Sequence, residues 1–281
     1  MKIRSVQKTD AMAVADFLHK EMDSAYPVEK WMNLFDYHWT QPPHHGYLAE
    51  DNGQIVGFLG CVFSPAQETI AKPICNLSSW CVAKSMRGSG VGASLFTGFL
   101  NENQWHQTML TAASYLVPIY QNFGYQPYET HRYVFQPQRS PGQVKGWLDT
   151  QIPTESLDPS VQKIYLDHKI HRCRSLYLEE KNEHCFLLFK DTPRKHGSGT
   201  FSELLYCSDF DFLTKHSNAI AHFGIRDSNS ILAVDRRYFL EKPFGGKEEP
   251  LYSPRLAKTT DPQPPFFHAY YSEVVLLDLK M

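Results

Sequence analysis

The feature that most constrains this chain is a run of closely spaced glycines between a predicted strand and a predicted helix. The segment Ile74–Val82 is rich in β-prone residues, and Arg87 lies five residues after Val82. The sequence then reads Arg-Gly-Ser-Gly-Val-Gly before an apolar-rich segment that reaches about Asn101. Glycines at this spacing let backbone N–H groups approach an anion, and a helix N-terminus adds positive potential. The pattern therefore predicts a cradle for phosphate or pyrophosphate, with Arg87 at its rim.

Two common phosphate-binding motifs do not account for this segment. A P-loop requires Lys followed by Ser or Thr after its last glycine, whereas alanine and serine follow Gly92. The dinucleotide fingerprint G-x-G-x-x-G/A formally matches Gly88, Gly90 and Ala93. However, that fingerprint requires a strand that ends at the glycines and an acid at the end of the next strand, and the predicted strand Thr108–Ser114 carries none.

The predicted elements of the first half indicate a mixed α/β sheet with helices on its faces. Hydrophobic periodicity predicts the order β-α-α-β-β-β-α-β-α-β over residues 3–135, with a tight hairpin at Asp51–Gly53. The second helix is expected over residues 28–39. This order forms one domain, 1–137.

The second half is expected to be a further α/β domain, 161–281, reached through a linker at 138–160 that is rich in proline, glycine and polar residues. A strand is predicted at 269–279, and a long loop at 240–266. Part of this half repeats an order found in the first: a strand, a helix ending in Phe-Gly, and a strand ending near Arg-Tyr. Both a diverged duplication and chance similarity explain the repeat, and the second copy lacks an Arg-Gly-x-Gly-x-Gly segment.

Composition indicates in which cellular compartment the protein functions and which classes of partner it does not bind. The formal net charge is −2, which gives no electrostatic basis for nucleic-acid binding. No apolar run approaches the roughly 20 residues that span a bilayer, and the N-terminus has no secretory apolar region. The six cysteines are scattered without a C-x-x-C pair, as in reduced intracellular proteins. We expect a cytoplasmic monomer or homodimer that binds neither nucleic acid nor membrane.

Two motifs together resemble the GCN5-related N-acetyltransferase (GNAT) superfamily. Arg87–Gly92 is similar to its Gln/Arg-x-x-Gly-x-Gly/Ala signature, and the preceding strand ends at the family's usual distance. Tyr120–Tyr125, read Tyr-Gln-Asn-Phe-Gly-Tyr, is similar to a second family element and lies about 30 residues later. The resemblance covers about residues 1–135. It implies the acyl-CoA N-acyltransferase fold there and a degenerate second copy in the C-terminal half.

The resemblance also implies an activity. Acetyl-CoA would donate an acetyl group to the primary amine of a small molecule by direct attack, without a covalent enzyme intermediate and without a metal. The end of the strand at Cys81 and Val82 would separate from its neighbour and pair with the pantetheine arm of the donor. The Val82 amide would polarise the thioester carbonyl, Tyr120 would protonate the departing thiolate, and Ser114 would contact the cofactor. The pyrophosphate would bind beside Arg87 to the amides of Gly88, Ser89, Gly90, Val91 and Gly92.

The proton acceptor for the attacking amine is open, because residues 76–80 carry no carboxylate where many family members have a glutamate. The candidates are a chain of water molecules and the side chains of His38, His44, His45, Glu50 and Glu68. Aromatic residues of the second helix would shape the acceptor site and suit an amino sugar, a nucleotide or an apolar amine; they are Trp31, Phe35, Tyr37 and Trp39. The missing carboxylate also supports an alternative function, a non-catalytic acyl-CoA-binding module.

Two further groups of residues have weaker functional interpretations. His168 and His171 lie on one face of a predicted helix near Asp167 and Cys173, a pattern in which a metal site is conceivable, but distant ligands are missing and a polar helix face is the default interpretation. Cys81 could be a nucleophile, but no basic residue near it in sequence supports that role, and we expect a buried thiol.

Overall fold

One mixed sheet runs through the whole protein. The fold is described by a computed structural model that covers residues 1–66, 72–100, 102, 104–137, 139, 141–194 and 199–277. Within these ranges the strands are β1 (Lys2–Ser5), β2 (Gly46–Asp51), β3 (Gln54–Phe63), β4 (Ile74–Val82), β5 (His106–Met109), β6 (Gln126–Phe135), β7 (Lys145–Leu148), β8 (Arg174–Glu180), β9 (Glu183–Pro193), β10 (Thr200–Cys207), β11 (Ser230–Asp235) and β12 (Lys247–Lys258). The helices are α1 (Ala11–Glu21), α2 (Val28–Trp31), α3 (Val91–Leu100), α4 (Val117–Asn122), α5 (Pro159–His168), α6 (Phe210–Lys215), α7 (Ser217–Gly224) and α8 (Glu273–Leu276).

The sheet has the same arrangement in its two halves. Its strand order is β1-β2-β3-β4-β5-β12-β6-β11-β10-β9-β8-β7. In the first half β4 and β5 are parallel, and in the second half β10 and β11 are parallel, while the other pairs are antiparallel. The two halves therefore form a tandem of acyl-CoA N-acyltransferase folds, as the sequence predicts.

Each half donates a strand to the other. The fifth strand of the first half, β5, pairs with β12 from the C-terminal half. The corresponding strand of the second half, β11, pairs with β6 from the N-terminal half. The two exchanged strands then pair with each other at the centre of the sheet. Because of this exchange, the strand pairing of each half depends on the other.

Buried apolar residues form three main clusters. The helix α1 packs with α5 and α8 in one cluster that includes Leu18, Ile164 and Val274, so this cluster crosses between the halves. The helices α3 and α4 pack in a second cluster, and α6 and α7 pack in a third. Burial of these aliphatic and aromatic side chains supplies the main driving force for folding.

Four predicted elements in the chain differ from the structure. The strand predicted at Thr108–Ser114 is β5, which begins at His106 and ends at Met109. The predicted loop at 240–266 contains the strand β12. The sequence did not predict this strand because it contains Pro250 and Pro254, and proline donates no ladder hydrogen bond and is rare in central strands. The predicted strand at 269–279 is wrong, since its described part contains the short helix α8. The second helix ends at Trp31 and continues as a 3₁₀ turn to Phe35.

The segment 138–160, expected as a linker, contributes structure of its own. The strand β7 lies within it and pairs with β8 at the edge of the sheet. The domain boundaries at 137 and 161 stay a prediction. Among the described helices the longest, α1, has 11 residues, and none combines the length and apolar character that crossing a bilayer requires.

A buried ion network joins the exchanged strand to the second half. Arg255 on β12 is buried and bonds the carboxylates of Asp235 on β11 and Glu203 on β10. Taking three charges out of water is costly unless they compensate one another. The network therefore holds β12 in one register, because a slipped strand would leave these charges unpaired.

We expect Arg255→Met to lower the free energy of unfolding by about 3–5 kcal/mol, because Glu203 would stay buried without its counter-charge and Asp235 would keep only its longer ion pair with Arg237. Urea unfolding followed by circular dichroism measures the change. Lys215→Ala is the control, since its ion pair with Glu183 lies in solvent and should contribute nothing measurable. Equal stability of Arg255→Met and the wild type would contradict the assignment.

Candidate active site

Two neighbouring parallel strands separate and leave an opening in the first half. β4 pairs with β5 at Ile74, Cys75 and Asn76, and the pairing stops there. β4 continues to Val82, held on its other side by β3, while β5 ends at Met109. Backbone groups on the open side of β4 therefore have no strand partner, which leaves them free for a ligand with amide groups.

A β-bulge in β4 directs its backbone at this opening. Phe58 on β3 is opposite Cys81, and Gly60 is opposite Ser78, so two residues of β4 face one of β3. Ser79 within the bulge has a φ of 51°, an unusual conformation for a residue other than glycine. Such local strain is concentrated at functional sites.

The amide of Val82 faces the opening. The next amide along the strand, Ala83 N–H, donates to the carbonyl of Val56 on β3 over 2.9 Å. Successive N–H groups of an extended strand point to opposite sides. Val82 N–H is therefore directed away from β3, into the space that β5 has left.

The glycine segment forms a turn at the end of this opening. Gly88 and Gly90 have φ values of +82° and +87°, which side chains other than glycine rarely adopt. A Cβ on either would meet no atom within 4 Å, so the space in front of both is open. The first hydrogen bond of α3 runs from Ser94 N–H to the Gly90 carbonyl. The amides of Val91 and Gly92 precede it and have no intrahelical partner, as at every helix N-terminus.

Gly92 and Arg87 complete this anion-binding geometry. A Cβ on Gly92 would lie 3.0 Å from the indole of Trp80, so glycine there lets α3 approach β4 closely. Arg87 is exposed and its Nε donates to the Val82 carbonyl over 3.3 Å. The loop therefore presents backbone donors, a helix N-terminus and one guanidinium to the same space.

Tyr120 lies across the opening from β4. It is 3% exposed and packs on Trp80 and Phe96, with ring centroids 5.5 Å and 5.7 Å away. In the described chain its hydroxyl makes no hydrogen bond, and the side chain lines the cleft. Burial raises the pKa of Tyr120 above its usual value, with a smaller contribution from Tyr115. Its phenol is therefore protonated at neutral pH and available as a proton donor.

These features meet in a cleft of about 500 Å³. A second hollow of about 370 Å³ lies over the glycine loop and shares Trp80, Val82 and Arg87 with the cleft. Together they form a path that leads from the helix N-terminus, along the open side of β4, to Tyr120. An extended ligand with an anionic end suits this shape.

Two polar residues of the cleft have no signal in the sequence. Glu21, at the end of α1, lines the mouth and accepts a hydrogen bond of 2.8 Å from the Lys84 amide. Thr111, just after β5, lines the inner part and donates to Glu273. Since neither lies in a motif, only the folded arrangement places them beside β4.

Comparisons with known proteins agree with this geometry. The family model of the acetyltransferase (GNAT) domain matches residues 11–135. Residues 11–135 therefore resemble a GNAT acetyltransferase domain. The match indicates acyl transfer as the general activity of this half. No curated protein sequence matches the chain.

Solved structures share the fold over nearly the whole chain. A candidate acetyltransferase of Pyrococcus horikoshii has a TM-score of 0.57 at 15% identity, over 96% of this chain and 95% of that one. A GCN5-related N-acetyltransferase of Anabaena variabilis has a TM-score of 0.56 at 12% identity, over 92% and 73%. A tandem GNAT protein from the clavulanic acid biosynthesis pathway has a TM-score of 0.53 at 10% identity, over 93% and 99%. At these identities the likeness shows the fold alone, which includes the tandem.

Most of the predicted cofactor residues lie along one path in the GNAT half. Cys81, Val82, Arg87 and Tyr120 line the cleft, while Gly88, Gly90, Val91 and Gly92 line the hollow beside it. Ser89 and Ser114 are not among the lining residues. Ser89 donates its hydroxyl to the Met86 carbonyl, and Ser114 is exposed between Ala113 and Tyr115, which do line the cleft.

The candidates for the proton acceptor that the structure describes lie away from the cleft. The His44 ring contacts Glu102 at 3.1 Å, and the His45 ring is buried against the Leu34 carbonyl. Glu50 bonds Arg4, and the exposed His38 stacks on His171. Glu68 is outside the described residues. The contacts of these groups are structural.

The aromatic residues expected to shape the acceptor site are in the core instead. All four are at most 7% exposed and none lines the cleft; they are Trp31, Phe35, Tyr37 and Trp39. The expectation for these residues was wrong, because all four side chains pack in the buried cluster that also contains α8.

Two weaker interpretations are also resolved by packing. Burial raises the pKa of Cys81 to about 11, so its thiol is protonated at neutral pH and is a poor nucleophile. His168 is fully buried, and its two ring nitrogens contact the backbone carbonyls of Ile164 and Tyr270. Within the described ranges no three metal-ligating side chains come together.

The corresponding opening in the second half is filled by the protein itself. β10 pairs with β11 only as far as Glu203 and then continues to Cys207. Tyr238 is buried and donates its hydroxyl to the Leu205 carbonyl over 2.8 Å, on the part of β10 that has left β11. The carboxylate of Asp209 caps the following helix by accepting from Phe212 N–H, which would repel a phosphate. The second half is therefore a GNAT fold without the anion-binding loop.

We expect Gly90→Ala to lower the free energy of unfolding by about 1 kcal/mol, because alanine is strained at a positive φ. Gly98→Ala in α3 is the matched control. Its added Cβ would meet only ordinary contacts, and helix propensity should raise stability by about 0.5–1 kcal/mol. Urea unfolding measures both, and a stabilising Gly90→Ala would show that the loop does not require a left-handed residue.

Proposed function

We propose that this protein transfers an acetyl group from acetyl-CoA to the primary amine of a small molecule by direct attack. The observation that carries the proposal is the continuous path from the glycine loop, along the unpaired side of β4, to the Tyr120 hydroxyl. Its backbone donors and its anion-binding end match an acyl donor with a pyrophosphate, an amide-containing arm and a thioester.

The chain's own groups would bind the donor at three points. The amides of residues 88–92 and the guanidinium of Arg87 would hold the pyrophosphate, where the helix dipole of α3 favours negative charge. The open backbone of β4 near Cys81 would pair with the amides of the pantetheine arm. The Val82 amide would then donate to the thioester oxygen, on which negative charge develops as the amine attacks.

The remaining chemistry is positioning and proton transfer. Holding an amine in line with the thioester lowers the barrier because the two no longer have to meet in solution. The Tyr120 hydroxyl would donate its proton to the sulfur as the carbon–sulfur bond breaks. Its burial keeps the phenol protonated until the thiolate forms.

The acceptor we propose is a primary amine with an apolar portion. Glu21 supplies a carboxylate at the mouth of the cleft, which attracts an ammonium group. Met22 and Tyr115 line the same mouth and are 47% and 79% exposed, which is a high exposure for apolar side chains. The burial of the second-helix aromatics removes the reason to favour an amino sugar.

Calorimetric titration with acetyl-CoA, followed by thiol release over a panel of amines, tests the proposed function. Binding and turnover with at least one amine are expected. Binding without turnover on any amine would instead identify a non-catalytic acyl-CoA-binding module. Absence of binding would overturn both functions.

We expect Tyr120→Phe to lower kcat about 100-fold or more, because a positioned proton donor contributes on that order. The affinity for acetyl-CoA measured by calorimetry should not change, since the lost hydroxyl acts on the departing sulfur. Tyr133→Phe is the matched control, because Tyr133 is buried in the core of the second half. Unchanged turnover in Tyr120→Phe would remove this residue from the mechanism.

A further inference from the structure

A buried carboxyl group from the C-terminal half lies directly behind the cleft of the first half. Glu273 begins the short helix α8 and is 0% exposed. Its side chain accepts a hydrogen bond of 2.8 Å from the hydroxyl of Thr111, which lines the cleft. The chain thus places a carboxyl group one hydroxyl away from the inner end of the cleft, 162 positions from Thr111 in the sequence.

Glu273 is held at the point where β4 and β5 separate. Its backbone N–H donates to the side-chain oxygen of Asn76 over 3.2 Å, and the Asn76 amide in turn bonds Thr108 on β5. Asn76 and Thr108 are the last paired residues of the two strands. The position of the carboxyl group is therefore tied to the geometry that opens the cleft.

One oxygen of this carboxyl group has no partner. Oε1 accepts from Thr111, whereas Oε2 is buried without a hydrogen bond in the described part of the chain. A buried, half-satisfied carboxylate costs free energy, so its presence here calls for a physical explanation. A protonated carboxyl group is less costly there, because it carries no charge.

The surroundings of Glu273 set its charge. Burial raises its pKa to about 7, while the hydrogen bond from Thr111 and the positive charge of Arg255 act in the opposite direction. The phenol of Tyr128 on β6 also interacts with it, and Lys190 on β9 reaches α8 by donating to the Val275 carbonyl over 3.1 Å. β4 presents no charged side chain, and neither does the turn at 32–35, against which α8 also packs. The group therefore exchanges protons near neutral pH.

We propose that Glu273 receives the proton of the attacking amine through the hydroxyl of Thr111. This inference rests on the proposed acetyl transfer and names the proton acceptor that β4 lacks. Glu273 does not touch the substrate. It acts as a positioning and proton-holding residue behind Thr111.

As the nitrogen–carbon bond forms and the carbon–sulfur bond breaks, the amine proton moves to Thr111 Oγ1, and the hydroxyl proton of Thr111 moves to Glu273 Oε1. The sulfur takes its proton separately, from Tyr120. Before the next cycle the carboxyl group returns its proton to solvent, and the Tyr120 phenolate takes a proton from solvent. Activity should therefore rise with pH through about 7, as Glu273 loses its proton.

The experiment measures kcat/KM against pH for the full-length wild type and four variants, with two amines of different pKa. In the wild type we expect kcat/KM to rise with pH and to level off above an apparent pKa near 7. This rising limb of the pH profile should have the same apparent pKa with both amines. Glu273→Gln and Thr111→Val should lose this limb and about 100-fold in activity at pH 8, on the order of one general base. Thr111→Ser retains a hydroxyl and should therefore keep both the limb and the activity. Glu129→Gln replaces another buried glutamate, one that bonds backbone amides elsewhere in the sheet, and should keep the limb.

Two measurements keep this test independent of folding and of the proposed function. Calorimetry with acetyl-CoA shows whether each variant still folds and binds the donor. Infrared spectroscopy of the wild type should show a protonated carboxyl band that titrates near pH 7 and is missing in Glu273→Gln. Wild-type turnover with an unchanged limb in Glu273→Gln would overturn the inference alone. No wild-type turnover with any amine would overturn the proposed acetyl transfer as well.

Discussion

The separation of β4 from β5 is the constraint on which the rest of this structure depends. The two strands pair as far as Asn76 and Thr108, and the amide side chain of Asn76 bonds both Thr108 and Glu273. Beyond this point β4 is held only by β3, and its free edge becomes the wall of the cleft. A strand edge is ordinarily a liability, because it invites pairing with other chains. Here the edge is short and enclosed, and it suits a ligand that pairs as a strand does.

The two halves show the same separation with opposite outcomes. In the first half the opening is empty of protein and ends at glycine amides. In the second half Tyr238 occupies it, and a carboxylate caps the helix where an anion would bind. The second half nonetheless contributes to the first, because it supplies β12 to the sheet and α8 behind the cleft. The buried ion network around Arg255 holds β12 in place, and the contacts of Glu273 hold α8 in place.

Local sequence signals predicted the structural elements whose conformation is determined by residues close together in the chain. The strand β4 ends at Val82 as predicted, and the positive φ angles of Gly88 and Gly90 occur where the spacing of the glycines indicates a turn. The strand β12 was missed because its prolines are typical of loops, and only pairing with β5 and β6 explains its extended form. The segment around Glu273 has the apolar pattern of a strand, but it packs as a short helix against β4.

The sequence by itself determined the glycine loop, the tyrosine across from it and the GNAT fold of the first half. Each depends on residues close together in the chain, where backbone conformation and hydrophobic period follow from residue type. Tertiary structure alone decided which acids reach the cleft, which half keeps its opening, and which strand completes each sheet. These outcomes depend on contacts between residues far apart in the chain, such as Asn76 and Glu273 at a separation of 197 positions, and no local pattern encodes such pairs.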